Sequence, residues 1–118
     1  MAIEKLTQTG KETLRSDGNA IDVTIDKTVE KGDVGLFEKF HGIMMETASS
    51  GDTVAMEIAQ RVHEVNVGEI TADKGDLLYL DENGDITDTN TDRLFAKVVI
   101  AKDANNIAWL LILPQVDL

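Results

Sequence analysis

From residue 21 the chain alternates between apolar and polar positions. Ile21, Val23 and Ile25 fall on one face of an extended segment, and Asp22, Thr24 and Asp26 fall on the other, the period of a half-buried strand. Two further apolar segments, Val34-Gly35-Leu36-Phe37 and Phe40 to Glu46, flank Glu38-Lys39 and predict a hairpin reversal there. Val54, Met56 and Ile58 alternate with Thr53, Ala55 and Glu57, and the alternation runs on through Val62 and Val65 toward Val67. The same stretch sets Val54, Ile58, Arg61, Val62 and Val65 at helical three-to-four spacing. Gly51-Asp52 and Gly68 frame pieces of strand length, and β-branched residues dominate, so strands are the preferred reading.

Leu77-Leu78-Tyr79-Leu80 leads into Asp81-Glu82-Asn83-Gly84-Asp85, and Ile86-Thr87 returns. An Asn-Gly pair predicts a tight hairpin turn with both central residues at positive φ. Two long apolar runs, Leu94 to Ala101 and Ile107 to Leu113, are separated by Lys102 to Asn106. They pair most simply as a buried antiparallel hairpin at the centre of the fold. Pro114 has no N–H to donate and ends the ladder.

A Gly-Asp pair precedes an apolar run three times, at Gly32-Asp33, Gly51-Asp52 and Gly75-Asp76. Glycine reaches positive φ cheaply and Asp bonds nearby backbone amides, so each pair predicts a tight turn into a strand. The expected fold is therefore mainly β: a small single-domain barrel or sandwich of antiparallel hairpins with little helix. Residues 1–20 are polar, with Ile3, Leu6 and Leu14 too sparse to build a core layer. They are read as a flexible N-terminal arm ahead of a β-rich domain over residues 21–118.

Composition narrows the partners. The chain has 118 residues, with 22 acidic against 11 basic side chains and a net charge of −11, which repels a nucleic-acid backbone and an anionic membrane surface alike. No apolar run reaches the roughly 20 residues of a membrane span, and the first residues lack a secretory apolar stretch, so a soluble product made in the cytoplasm is expected. Without cysteine there is no disulfide framework or thiolate metal site, and stability must come from packing and from self-association.

Candidate chemistry is sparse. Asp88, Asn90 and Asp92 imitate the start of a calcium loop, but Arg93 stands at the sixth position and Val99 at the twelfth, where glycine and glutamate belong. His41 and His63 lie in strand-like segments with no nucleophile beside them in sequence, and no glycine-rich loop precedes a helix, so neither an enzyme nor a cofactor is expected. Trp109, among Ile107, Leu110, Leu111 and Ile112, is read as a core or subunit-interface residue. Met44 and Met45 are read as packing residues or oligomer contacts.

The succession of phrases from Ile21 to Ile25, through Lys31 to Phe37, Phe40 to Ile43, Ser50 to Met56 and Lys74 to Asp81, to Ile86-Thr87 and Leu94 to Val98, resembles the tailed-phage capsid decoration or cement proteins. These are encoded beside the major head gene and related in fold to the head-stabilising decoration protein of lambdoid phages. The resemblance covers about residues 20–116. It implies a β domain, often a homotrimer, that binds the major capsid protein on the outer surface of the expanded head and stabilises it without catalysis. It places the protein in the virion after synthesis in the host bacterial cytoplasm. Ile3, Leu6 and Leu14 of the arm are the expected capsid contacts, with strand addition to a sheet edge as the mode. The alternatives are a virion-surface adhesion or receptor-contact module using the loop from Thr87 to Arg93, and a calcium-dependent carbohydrate-binding domain resting on the acidic stretch.

Overall fold

The structure, a computed structural model that describes residues 18–115, contains nine strands and, among the described residues, no helix. They are β1 (Ala20–Thr24), β2 (Val34–Phe37), β3 (Phe40–Met44), β4 (Thr53–Glu57), β5 (Val62–Asn66), β6 (Leu77–Leu80), β7 (Ile86–Thr87), β8 (Arg93–Ile100) and β9 (Ile107–Ile112). Two antiparallel sheets result, a four-stranded one in the order β1-β4-β3-β2 and a five-stranded one in the order β5-β9-β8-β6-β7. The fold is mainly β, as the alternation predicts. The apolar stretch over residues 53–67 splits between the sheets, and Ile58 to Arg61 carry the chain across.

The three Gly-Asp phrases are one turn built three times. Gly32, Gly51 and Gly75 have φ of 93, 94 and 92°, the positive-φ position of a type II turn. In each turn the Asp amide donates to the carbonyl three residues back at 3.0 Å (Asp33 to Glu30, Asp52 to Ser49, Asp76 to Asp73). The same Asp's Oδ2 accepts the amide of that residue at 2.8, 2.9 and 2.9 Å. Each turn then pairs outward identically, the glycine amide donating to Met44, Ile25 or Val98 and that residue's amide donating back to the Asp carbonyl. Upstream, each begins with Thr and an apolar residue, Thr28-Val29, Thr47-Ala48 and Thr71-Ala72, of which Val29 and Ala72 are buried.

The Asn83-Gly84 turn differs from its expected form. Gly84 has φ of 82°, but Asn83 stays at negative φ. The Asp81 carboxylate accepts the amides of Asn83 (2.9 Å) and Asp85 (3.0 Å), closing a three-residue loop whose last residue alone is left-handed. Asp103 does the same for Asn105 (2.8 Å) and Ile107 (3.1 Å), with Asn106 at φ 65°. The two-residue turn with both φ positive sits instead at Glu38-Lys39, at 54 and 70°.

Each sheet carries its own apolar cluster. Val23, Ile25, Val29, Phe37, Met44, Val54 and Met56 fill the first, while Phe95, Ala96, Val98, Leu78, Leu80, Leu110 and Ile112 dominate the second. β3 lies between them: Met44 packs into the first cluster and Ile43 into the second, so His41 to Met44 are all buried and the alternation disappears. Close approach here requires Gly42, where a Cβ would collide with the Glu57 carbonyl oxygen.

Candidate functional site

Among the described residues the fully buried polar side chain is His41, which lies beside the edge of the Phe95 ring, with centroids 5.5 Å apart. Its Nε2 lies 2.8 Å from the Leu113 carbonyl, which only accepts, so that nitrogen carries the proton. Nδ1 is then the acceptor for the Arg93 Nε–H at 2.8 Å. Gln115 completes the cluster: its Oε1 accepts the His41 amide (2.8 Å) and an Arg93 Nη2–H (3.1 Å), and its Nε2 donates to the His41 carbonyl (2.8 Å). The Gln115 amide thus pairs with His41 as a residue of a neighbouring strand would. The cluster ties β3 of the first sheet, β8 of the second and the segment beyond Pro114 into one junction. Both ring nitrogens are engaged by protein groups, which makes His41 a structural residue. His63, the other histidine, has Nε2 at 3.1 Å from Glu57 Oε1, and Arg61 approaches the same carboxylate at 3.7 Å.

The two sheets present different outer faces. On the first, Asp22 pairs with Ala55 and Thr24 with Thr53, whose hydroxyls bond at 3.0 Å, a solvated polar face. On the second, one row across the strands reads Glu64, Trp109, Ile100 and the next reads Val62, Leu111, Lys97, Leu77. Val62, Leu77, Ile100 and Trp109 are exposed, and they are four of the six large apolar residues exposed among the described residues. Trp109 therefore stands on a surface and not in the core. The runs Leu94 to Ala101 and Ile107 to Leu113 do pair at the middle of the sheet, but among the described residues only one face of β9 is fully buried, with Ile107 and Leu111 half-buried and Trp109 exposed on the other.

Other expected contacts scatter. Met44 is fully buried in the first cluster and packs within the protomer, whereas its neighbour Met45 is exposed. Ile3, Leu6 and Leu14 lie outside the described residues, as does the arm up to residue 17. In the acidic stretch, Asp81 holds its own loop, and Asp92 Oδ2 accepts the Thr87 hydroxyl at 2.8 Å. Among the described residues no group of three or more His, Asp or Glu side chains is placed to hold a metal ion.

The sequence reading passed over His41, Arg93 and Gln115 as a unit, since they are 52 and 74 positions apart. It also passed over Val62, Leu77 and Ile100, whose common face exists only once the strand order is known.

Searches of curated proteins and of solved structures returned no match. The family model for the phage cement protein matches residues 15–112, a segment that contains all nine strands and begins just after Leu14. With more than four-fifths of its length matched, the chain belongs to the phage cement protein family.

Proposed function

We propose that this protein decorates the outer surface of the expanded phage head, binds the major capsid protein there as a homotrimer, and stabilises the lattice without catalysing any reaction. The observation that carries the reading is the family match across every strand of the fold. The physical chemistry agrees with it. A ligand that binds the assembled lattice and not its separated parts stabilises the lattice by mass action, by about 2.7 kcal/mol at a free concentration a hundred times the dissociation constant. Three linked copies gripping together raise the effective concentration of each contact, so that no single contact need be strong. A charge of −11 per copy suits a surface facing solvent and discourages further layers from stacking on a decorated shell.

The grip is assigned to the arm, with Ile3, Leu6 and Leu14 settling in apolar grooves of the head protein. These three lie before the segment that the family model matches, so the match does not bear on this anchor. The test is deletion of residues 1–17. Residues 18–20 are kept because the Asn19 carbonyl accepts the Ile58 amide and β1 begins at Ala20. The truncated protein should keep its circular dichroism and melting point but fail to co-sediment with expanded heads. Undiminished occupancy would discard the arm as the grip, and failure of the full chain to bind expanded heads would discard the cement reading itself.

A further inference from the structure

The outer face of the five-stranded sheet is apolar where an antiparallel sheet facing water is normally polar, as the first sheet of this molecule is. Strands β5, β9, β8 and β6 at about 4.8 Å spacing and about 3.3 Å per residue make it roughly 350 Å² in plane, the size of the largest apolar patch on a typical monomer, which is often a functional one. Trp109, 41% exposed, stands near its middle on β9.

Its charge says what covers it. The molecule carries −11, so two copies approaching through most surfaces set acid against acid. The two central rows carry one acid, Glu64 on β5, and one base, Lys97 on β8, and these strands flank β9 on either side. The two rows are therefore neutral and their flanks complementary: the Glu64 flank of one copy suits the Lys97 flank of another, a pairing open both to a two-fold pair and to a closed ring.

We propose that this face is the contact between copies of the chain, with Trp109 as its central anchor and Lys97 and Glu64 setting the register. The inference rests on the self-association proposed above and assigns it a surface.

Sedimentation velocity on the full chain, away from heads, tests it. The wild type should sediment as an oligomer. Trp109→Glu should weaken association by about a hundredfold, the scale of a hot-spot residue, with an unchanged circular dichroism spectrum. Ile100→Ser, at a second exposed position, should act in the same direction and serves if the first variant misfolds. Lys97→Glu and Glu64→Lys should each weaken association at low salt, and the double swap should regain it. A monomeric wild type would overturn self-association and this assignment together, leaving head binding to be judged by co-sedimentation. An oligomeric wild type with an equally oligomeric Trp109→Glu variant would overturn the assignment alone. If that variant kept the wild-type mass yet left the heads, the face would belong to the capsid protein.

Discussion

Replacing Gln115 by alanine isolates the junction between the sheets. The substitution removes three hydrogen bonds, two to the backbone of His41 and one to Arg93, and leaves the amide and carbonyl of a buried residue without those partners. An unpaired buried polar group costs about 1–3 kcal/mol. Gln115 itself is only part-buried, and water entering the gap recovers some of that loss, so the expected destabilisation is about 2–4 kcal/mol for the pair. For a domain of this size that corresponds to a fall in melting temperature of roughly 6–16 °C. Urea unfolding measures the free energy, with the midpoint expected to fall by 1 M or more at a slope of about 2 kcal/mol/M. Hydrogen exchange gives the local readout: the His41 amide should lose protection before the amides of β8 and β9. A change under about 0.5 kcal/mol, or a His41 amide still as protected as in the wild type, would show that the Gln115 side chain does not hold the junction.

Further outcomes follow from the packing and the turns. Gly42→Ala should destabilise by more than about 3 kcal/mol or prevent folding, because its Cβ meets the Glu57 backbone, as expression and circular dichroism would show. Gly51→Ala should cost only about 1–2 kcal/mol, since its Cβ would enter open space and only the positive φ is strained. Asp33→Ala, Asp52→Ala and Asp76→Ala should each cost about 1 kcal/mol in chemical unfolding through loss of one carboxylate bond per turn, and the Asp76 loss should add to either of the others, whereas the Asp33 and Asp52 turns, bridged through Val29 and Ala48, should show coupling. If copies meet through the second sheet, the wild-type melting temperature should rise with protein concentration and that of Trp109→Glu should not; calorimetry across a hundredfold dilution series reads this directly.

Where structure is decided within a few residues, the sequence announces it. The Gly-Asp turns, the reversal at Glu38-Lys39 and the alternation of Ile21, Val23 and Ile25 depend on local φ preference and on a period of two, and all are found where expected. The Asn83-Gly84 turn came out in another form because the carboxylate of Asp81, two residues before Asn83, competes for the loop amides. What lies beyond local reach was hidden. β3 loses its alternation because a second core approaches its other side, and that core is built from residues tens of positions downstream. The His41 cluster draws on three separate parts of the chain, and no spacing rule joins them.

The apolar run Ile107 to Leu113 shows why burial cannot be read from hydrophobicity alone. Residues on both faces of β9 are apolar, a pattern that ordinarily means a strand covered on both sides. Within one copy, Ala108, Leu110 and Ile112 are covered while Trp109 is not. The composition of the strand therefore describes an environment that the described residues of one copy do not provide. The chain belongs to the phage cement protein family, and a second copy is what we propose as the missing layer. The first sheet, with Thr24 and Thr53 bonded on its outer face, needs none. Sequence pattern and single-copy burial disagree on one sheet and agree on the other, and that difference is the ground for proposing the five-stranded sheet as the contact between copies.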